Sequence, residues 1–494
     1  MFGHEIAMMR DWRDDRIAEQ DARIAQLEAQ LAERDRTIAG LLARVAELEE
    51  QLRRCSKNSS KPPSSDPPWQ LRGSKKPLSG RKPGGQPGHK KSERTPLPPE
   101  KVDETHEVWP AHCEHCQQPL RSETRVEVGE VLRHQVIELP KVRARVTEYR
   151  LHTQSCPHCE WATTAKVPEG VAAGCFGPRL TAIVALCSGV YRMSKRMVVS
   201  MLSDLFGVDM ALGSVTACEQ RTSAPLAGPV AEARRYVEQQ PVAYADETGW
   251  RQARARAWVW VAVTSCVTIF LIHARRNASA ARELLGHFDG ILVSDRWSAY
   301  GGWSPHHRQL CWAHLLRYFK AFSECRGAAR TLGEKLLALT RDMFVAWHRV
   351  RDGTLMRTTF QANMRPVRAE VERLLAVGSR CGHPKVEATC RDLLTLAPAL
   401  WTFVRVAGVE PTNNAAERAL RSCVLMRKTS FGTHSEEGSR FVERMLTVAA
   451  TLRQQNRSVV DYVTDAVERS FRGQSMPSLL PTQQLMPHTL PFAA

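Results

Sequence analysis

The chain has 494 residues, enough for about three domains, which excludes a mini-protein held together by disulfides alone. It carries 69 Lys and Arg against 52 Asp and Glu, a formal net charge of +17 that favours polyanionic partners such as nucleic acid. An apolar fraction of 43% excludes a wholly disordered chain.

The N-terminus shows no secretory signal, because MFGHEIAMMRDWRDD is charged from its start. We therefore expect a cytoplasmic protein, associated with the nucleoid, whose 14 cysteines stay reduced. The uncharged stretch 257–274 reaches membrane-span length, but its β-branched and aromatic residues favour two strands.

Residues 12–54 are predicted to form a coiled coil. Ile17, Ile24, Leu31, Ile38, Val45 and Leu52 recur every seven positions, with Leu27, Leu41 and Leu48 in the second seam position. This pattern favours a homo-oligomer. The alternative is an amphipathic helix that packs on its own chain.

Residues 55–104 are rich in Pro, Gly, Ser and Lys, so they are predicted to form a basic linker without a core. Their cations could follow a DNA backbone, with Lys75, Lys76, Arg81 and Lys82 as candidate phosphate contacts. The alternative is a solvated linker.

Residues 105–170 contain two CxxC pairs, which predict a small zinc-binding β module. Four thiolates, from Cys113, Cys116, Cys156 and Cys159, satisfy a structural Zn²⁺. We expect strands over 124–140 and 142–152 to fold back and join the pairs. A neighbouring histidine in place of one cysteine, and unrelated buried thiols, are the alternatives.

Residues 177–235 are predicted to form a helical DNA-binding domain. Ser194 is a candidate N-cap and Gly207 a candidate stop of one helix. A short turn and another helix follow it, and this arrangement resembles a helix-turn-helix. Any helical bundle has similar corners, so the alternative is a scaffold.

Residues 240–324 read as three strands, a helix and a fourth strand, which fits the start of a ribonuclease-H-like sheet. Asp246 ends the apolar run of the first strand and Asp295 that of the fourth, so both carboxylates are expected at one edge. Glu247 should point to the opposite face, and we leave it out of the site.

A third carboxylate, Glu417, begins a helix that Asn413 or Asn414 could cap, within residues 409–471. Two Asp and one Glu are hard oxygen ligands suited to two Mg²⁺ or Mn²⁺ ions. The fitting reaction is phosphodiester cleavage or transfer.

Motifs over nearly the whole chain resemble the insertion sequence sixty-six family of bacterial transposases. They are NSSKPPSSD, GGQPGH, the paired CxxC, ADETGW, SDRWSAY, CWAHLLRYF and NNAAERALR, in the family's order. The resemblance implies a DDE transposase with its triad on Asp246, Asp295 and Glu417. It also implies a helical insertion, 325–408, which packs on the site, on DNA or as a scaffold, and companion proteins of the same element as candidate partners.

Further cations near the triad are candidate DNA contacts. We expect His314, Arg421, Arg427 and Lys428 to approach phosphates, although His314 could be a core histidine and Arg421 the ion-pair partner of Glu417. Cys311 has metal-like CxxH spacing with His314, but no second pair accompanies it, so zinc is not predicted there. Residues 474–494 are predicted to be a disordered tail.

The sequence as a whole predicts a multidomain α/β protein that cuts transposon-end DNA and joins the 3′-hydroxyl to target DNA. A zinc-containing helix-turn-helix regulator derived from a transposase would share the basic charge, the coil and the helical domain. A nuclease that cuts without joining is a third possibility. The three acids discriminate against the regulator.

Overall fold

The computed structural model describes residues 2–53, 95–124, 126, 128–172 and 174–481, and its regular elements are mostly helical. The helices are α1 (Phe2–Arg53), α2 (Pro178–Gly189), α3 (Lys195–Phe206), α4 (Leu212–Glu238), α5 (Ala278–Leu285), α6 (Trp312–Ser323), α7 (Ala328–Arg351), α8 (Arg357–Gly378), α9 (Pro384–Thr395), α10 (Ala397–Leu400), α11 (Thr402–Arg405), α12 (Asn414–Ser430), α13 (Glu436–Gln454) and α14 (Val459–Phe471). The strands are β1 (Thr153–Ser155), β2 (Ala162–Thr164), β3 (Val242–Gln252), β4 (Ala255–Val263), β5 (Thr268–His273), β6 (Ile291–Ser294) and β7 (Arg308–Leu310).

Helix α1 runs without interruption through the predicted coiled-coil region. Its apolar seam faces solvent: Ile17 is 55% exposed and Leu41 61%. Within the described part of the chain, no other segment covers this seam, so the helix does not pack on its own chain as the alternative prediction required.

The region between the linker and the first helical domain contains little regular structure. Strands β1 and β2 form a short antiparallel hairpin. The strands expected over 124–140 and 142–152 are wrong, because the described residues there belong to no β-ladder. Val128 and Leu132 are 89% and 97% exposed. An alternating apolar pattern gives a strand only when a neighbouring strand accepts its hydrogen bonds.

Helices α2, α3 and α4 occupy the region predicted to be a helical domain, and the local signals that predicted α3 are confirmed. The Ser194 hydroxyl accepts a hydrogen bond from the Met197 amide at 3.2 Å, which satisfies one of the free amides of the first turn. Gly207 ends the helix with φ +63°, a conformation that glycine adopts without steric cost. A short turn then leads into α4.

A five-stranded mixed sheet forms the centre of the molecule, in the order β5-β4-β3-β6-β7. The pairs β3–β4 and β4–β5 are antiparallel, whereas β6 is parallel to β3 and β7 is parallel to β6. The predicted succession of three strands, a helix and a fourth strand is confirmed, and β7 is an addition. The uncharged stretch is the β4–β5 hairpin, and none of the described helices is long and apolar enough to cross a membrane.

Side chains of α13 cover the β5 edge of this sheet. Residues four apart on a helix and residues two apart on a strand are both separated by about 6 Å along the axis. Side chains at every fourth position of α13 can therefore reach every second amide of β5. The acceptors are Thr451 for the Thr268 amide at 3.1 Å, Thr447 for the Phe270 amide at 3.0 Å and Glu443 for the Ile272 amide. Every second amide of β5 thus binds α13.

The helical insertion, α7 to α11, packs against the opposite edge. The Gln309 side chain on β7 accepts a hydrogen bond from the Phe403 amide at 2.8 Å. The Thr402 hydroxyl donates to the Arg308 carbonyl at 2.6 Å. These contacts support the scaffold alternative for the insertion, since its last turns complete the polar edge of the sheet.

The C-terminal segment departs from the predicted disorder. Residues 474–481 pack on the molecule, with Leu479 fully buried and its carbonyl bound by the Gln455 side chain at 3.1 Å. The Tyr462 hydroxyl donates to the Pro477 carbonyl at 2.8 Å. The prediction from composition was wrong here because one buried leucine and a few backbone contacts are enough to dock a short segment. Residues 482–494 lie outside the described part.

Candidate active site

The central sheet brings the two predicted aspartates side by side. Strands β3 and β6 are parallel, with Tyr244 opposite Val293. Two positions further along lie Asp246 and Asp295, so both follow the same register to the same end of the sheet. The Glu247 amide donates to the Asp246 carboxylate and the Trp297 amide to the Asp295 carboxylate, each at 2.9 Å.

Helix α12 carries the third acid, Glu417, in its first turn. Asn413 occupies the N-cap position but does not cap with its side chain, contrary to the sequence prediction. Its side-chain amide instead donates to the Ala245 carbonyl at 2.8 Å. This bond ties the start of α12 to β3, next to Asp246.

The three acids interact electrostatically. Burial, followed by the negative charges of Glu247, Asp295 and Glu417, raises the pKa of Asp246 well above its usual range. One carboxylate oxygen of Glu417, Oε1, is buried without a hydrogen-bond partner. Interacting carboxylates with one unsatisfied oxygen offer the oxygen ligands that Mg²⁺ and Mn²⁺ prefer.

His314 lies against this acidic cluster. Its Nδ1 lies 3.7 Å from the Glu417 Oε1 atom. Arg421, the predicted alternative partner of Glu417, is exposed. Burial and the charge of Arg317 lower the pKa of His314, although Asp295 and Glu417 oppose that shift. The imidazole is therefore neutral near pH 7.

Cys311 joins His314 and Glu417 in a cluster at a place where no zinc is predicted from the sequence. Their ligand atoms lie within 4.8 Å of one another. In the described part of the chain, this is the single group of three or more His, Cys, Asp or Glu ligands that meets this spacing. The CxxH spacing was a usable signal, but its third ligand comes from α12, far along the sequence.

Glu247 points away from the triad, as predicted, into a buried network. Its side chain has 0% exposure and pairs with Arg276, whose Nη2 lies 2.8 Å from Oε1. The Tyr300 hydroxyl donates to Oε2 at 2.6 Å. Burial raises the pKa of Glu247, and the bonds from Tyr300 and Arg276 oppose that rise.

This network reaches the second aspartate as well. The Arg276 guanidinium lies over the Trp297 ring, 4.3 Å from its centroid, and the Trp297 amide binds Asp295. The sequence did not predict Arg276 or Tyr300 as partners of Glu247. A buried glutamate on a strand signals that a cation must lie nearby, but the sequence does not say which one.

The predicted phosphate contacts fall into three groups. Arg421 and Lys428 are exposed on α12. Arg427 is half-buried and donates to the Gly249 carbonyl, so it fastens α12 to β3. Lys75, Lys76, Arg81 and Lys82 lie outside the described residues, and their role stays a prediction.

The two CxxC pairs form matching turns. In each, the amide of the first cysteine donates to the carbonyl five residues later, and the amide four residues later donates back, all at 2.9 Å. Backbone amides of Cys116 and His115 lower the pKa of Cys113, and those of His158 and Cys159 lower that of Cys156. Such turns stabilise thiolates, but the structure does not bring the four thiols into one cluster.

Comparison with known proteins gives two family matches. The family described as "Transposase IS66 family" matches residues 173–440, just over half of the chain, including all three acids. A "Family of unknown function (DUF6444)" matches residues 9–95. The chain is also 23% identical over 244 residues to "Uncharacterized protein y4qI" of Sinorhizobium fredii (strain NBRC 101917 / NGR234). That match covers 44% of this chain and less than half of the relative's length.

Proposed function

Because the chain belongs to the IS66 family of transposases, we propose that it cuts the ends of its transposon and joins the freed 3′-hydroxyl to target DNA. The observation that carries this proposal is that Asp246 and Asp295 lie at the same end of the sheet and that the charges of Asp295 and Glu417 both act on Asp246. The strand order supports a ribonuclease-H-like catalytic domain.

In this proposal the three carboxylates hold two divalent ions, Mg²⁺ or Mn²⁺. Ions bound there would polarise the phosphodiester and activate the attacking oxygen. The backbone amides of Glu247 and Trp297 orient two of the carboxylates. The exposed Arg421 and Lys428 would contact the phosphates of the DNA strand. Neutral His314 would line the site beside Glu417, with its Nδ1 3.7 Å from Oε1.

The direct test replaces each acid by its amide: Asp246→Asn, Asp295→Asn and Glu417→Gln. Each variant should bind end DNA as the parent chain does but lose Mg²⁺-dependent cleavage and joining, because the ligands of the ions are removed. Asp289→Asn is the matched control, since Asp289 lies in the same domain with its side chain 97% exposed. End cleavage by the Asp295→Asn variant would refute the triad.

The N-terminal helix supports an assembly of two copies. Four of the six first-seam residues are β-branched and three of the five second-seam residues are Leu, a pattern that favours a two-stranded parallel coil. Gln20 and Arg34 occupy the other second-seam positions. The positions on either side of the seam carry opposite charges. Those just before the first seam position include Arg16, Arg23 and Arg44, and those just after the second seam position include Asp21, Glu28, Asp35 and Glu49. A parallel pair in register places opposite charges together, whereas an antiparallel pair places like charges together.

In a parallel coil both chains leave the coil at the same end, so their DNA-binding parts lie close together. This assembly would bring two transposon ends together. Replacing Ile24 and Leu41 by Asn should shift the sedimentation of the full chain from a dimer to a monomer. Asn at the outward-facing Ala25 and Ala39 is the control. A monomeric parent chain would contradict the proposal.

The two CxxC turns support a structural zinc site in the N-terminal module. Serine replacement of Cys113 and Cys116, or of Cys156 and Cys159, should remove the same Zn²⁺ ion, measured by atomic absorption. A loss that occurs with only one pair would show that the pairs do not share an ion. We also propose that the zinc module and the helical domain bind the terminal repeats in the cytoplasm, and that companion proteins of the element assist.

A further inference from the structure

Cys311, His314 and Glu417 bring three different ligand atoms to one place beside the proposed catalytic acids. The Cys311 thiol, the His314 imidazole and the Glu417 carboxylate lie within 4.8 Å of one another. His314 Nδ1 and Glu417 Oε1 are both buried and make no hydrogen bond. Buried polar atoms that lack partners are uncommon in folded proteins, and a bound ion is one explanation for them.

The fold holds these three groups from two helices. Cys311 is the N-cap residue of α6, and its amide donates to the Ser294 carbonyl on β6 at 2.9 Å. The Asn413 amide, at the start of α12, donates to the Cys311 sulfur at 3.2 Å. The cluster is therefore fixed to the sheet on one side and to the helix of Glu417 on the other.

The exposure of the cluster leaves one open side. Cys311 is 1% exposed, whereas the His314 and Glu417 side chains are 22% and 35% exposed. Zinc sites with three protein ligands leave the fourth coordination position open for a water molecule. The cluster has this arrangement. A thiolate, a neutral imidazole and a carboxylate together balance the charge of one divalent ion.

We propose that Cys311, His314 and Glu417 form a zinc-binding site that overlaps the site of the catalytic ions. Thiolate and imidazole ligands favour Zn²⁺ over Mg²⁺, which prefers oxygen alone. On binding, the Cys311 thiol releases its proton to solvent and the sulfur bonds to Zn²⁺. Glu417 cannot serve both sites, so Zn²⁺ inhibits DNA cleavage by withdrawing this acid, a consequence that rests on the proposed function.

Binding is tested with Co²⁺ as the probe, because a cobalt–thiolate bond gives a charge-transfer absorption band in the near ultraviolet. The full chain is used with Cys113, Cys116, Cys156 and Cys159 replaced by serine, so that the CxxC turns do not contribute. We expect the band in this protein, its loss in Cys311→Ser and its retention in Cys423→Ser, the control for another buried cysteine. Zn²⁺ should displace the cobalt.

A second variant guards against misfolding of Cys311→Ser. His314→Asn keeps the thiol but removes a ligand, so it should weaken Co²⁺ affinity by about tenfold or more. Circular dichroism establishes that each variant is folded. The site is refuted if the parent protein gives no band or if a folded Cys311→Ser variant keeps it.

Inhibition is measured as the Zn²⁺ concentration that halves end cleavage in excess Mg²⁺, with each variant compared with its own rate without zinc. Cys311→Ser should need about tenfold more Zn²⁺ than the Cys423→Ser control. Equal sensitivity would refute the inhibitory role. The cobalt band needs no DNA, so a protein that gives the band but never cleaves DNA would refute the proposed function and leave the zinc site standing.

Discussion

Removal of the Arg276 charge tests the buried network behind the proposed catalytic aspartates. The Glu247 carboxylate has 0% exposure and would be left with the Tyr300 hydroxyl as its partner in Arg276→Gln. Breaking a fully buried ion pair costs about 3–5 kcal/mol. Because the Arg276 side chain is 39% exposed, solvent screening reduces the expected loss to about 2 kcal/mol.

The assay is urea unfolding of the full chain, followed by tryptophan fluorescence. Arg276→Gln should be more destabilised than its double variant with Glu247→Gln and than the Arg275→Gln control, because it leaves a buried charge without its cation. The double variant with Glu247→Gln should recover part of the loss, as expected for residues in contact. Arg275→Gln, at an exposed neighbouring position, is the control.

A second measurement tests whether this network affects the proposed active site. Arg276 lies over Trp297, whose amide binds Asp295. Arg276→Gln should therefore also weaken Mn²⁺ binding, measured by titration calorimetry. The reasoning fails if the free energy of unfolding of Arg276→Gln lies within about 0.5 kcal/mol of that of the parent chain, which is the range of ordinary surface substitutions.

Three further changes test the packing around the sheet. Thr447→Val leaves the Phe270 amide without its acceptor and should cost about 1–3 kcal/mol in urea unfolding, more than Thr447→Ser; the reverse order would contradict this. Burial raises the pKa of Glu443 to about 7, so the folded chain holds this proton more tightly than the unfolded chain and stability falls as pH rises towards 7. Glu443→Gln should lessen that fall between about pH 5 and 8, and an unchanged slope would refute it. Leu479→Ala should cost about 2–4 kcal/mol, whereas a loss below about 0.5 kcal/mol would show that the segment is not docked.

Local signals in the sequence predicted much of the fold. Ser194 and Gly207 define the ends of α3 through their own side chain and backbone, without help from distant residues. The β-branched stretch 257–274 gave the β4–β5 hairpin for the same reason. Asp246 and Asp295 could be paired because each follows an apolar strand, and the order of the strands brings those strands together.

Features that depend on distant partners were not predictable. The alternating residues of 124–140 lacked a neighbouring strand, so they formed no ladder. The link from Asn413 to Ala245 joins segments far apart in the chain, and so do the cation for Glu247 and the third member of the Cys311 cluster. The error at Leu479 has the opposite sense, because order was found where disorder was predicted. Leu479 lies in a polar and proline-rich segment, yet it is buried.

Both edge strands of the central sheet, β5 and β7, are covered by helices, and this limits how copies of this chain can associate. An exposed terminal strand would recruit a strand from another molecule and so promote aggregation. Here the free amides of β5 bind α13, and β7 binds the last turns of the insertion. The covered strands thereby prevent copies of this chain from joining their sheets into fibres. Contacts between copies must use side-chain surfaces instead.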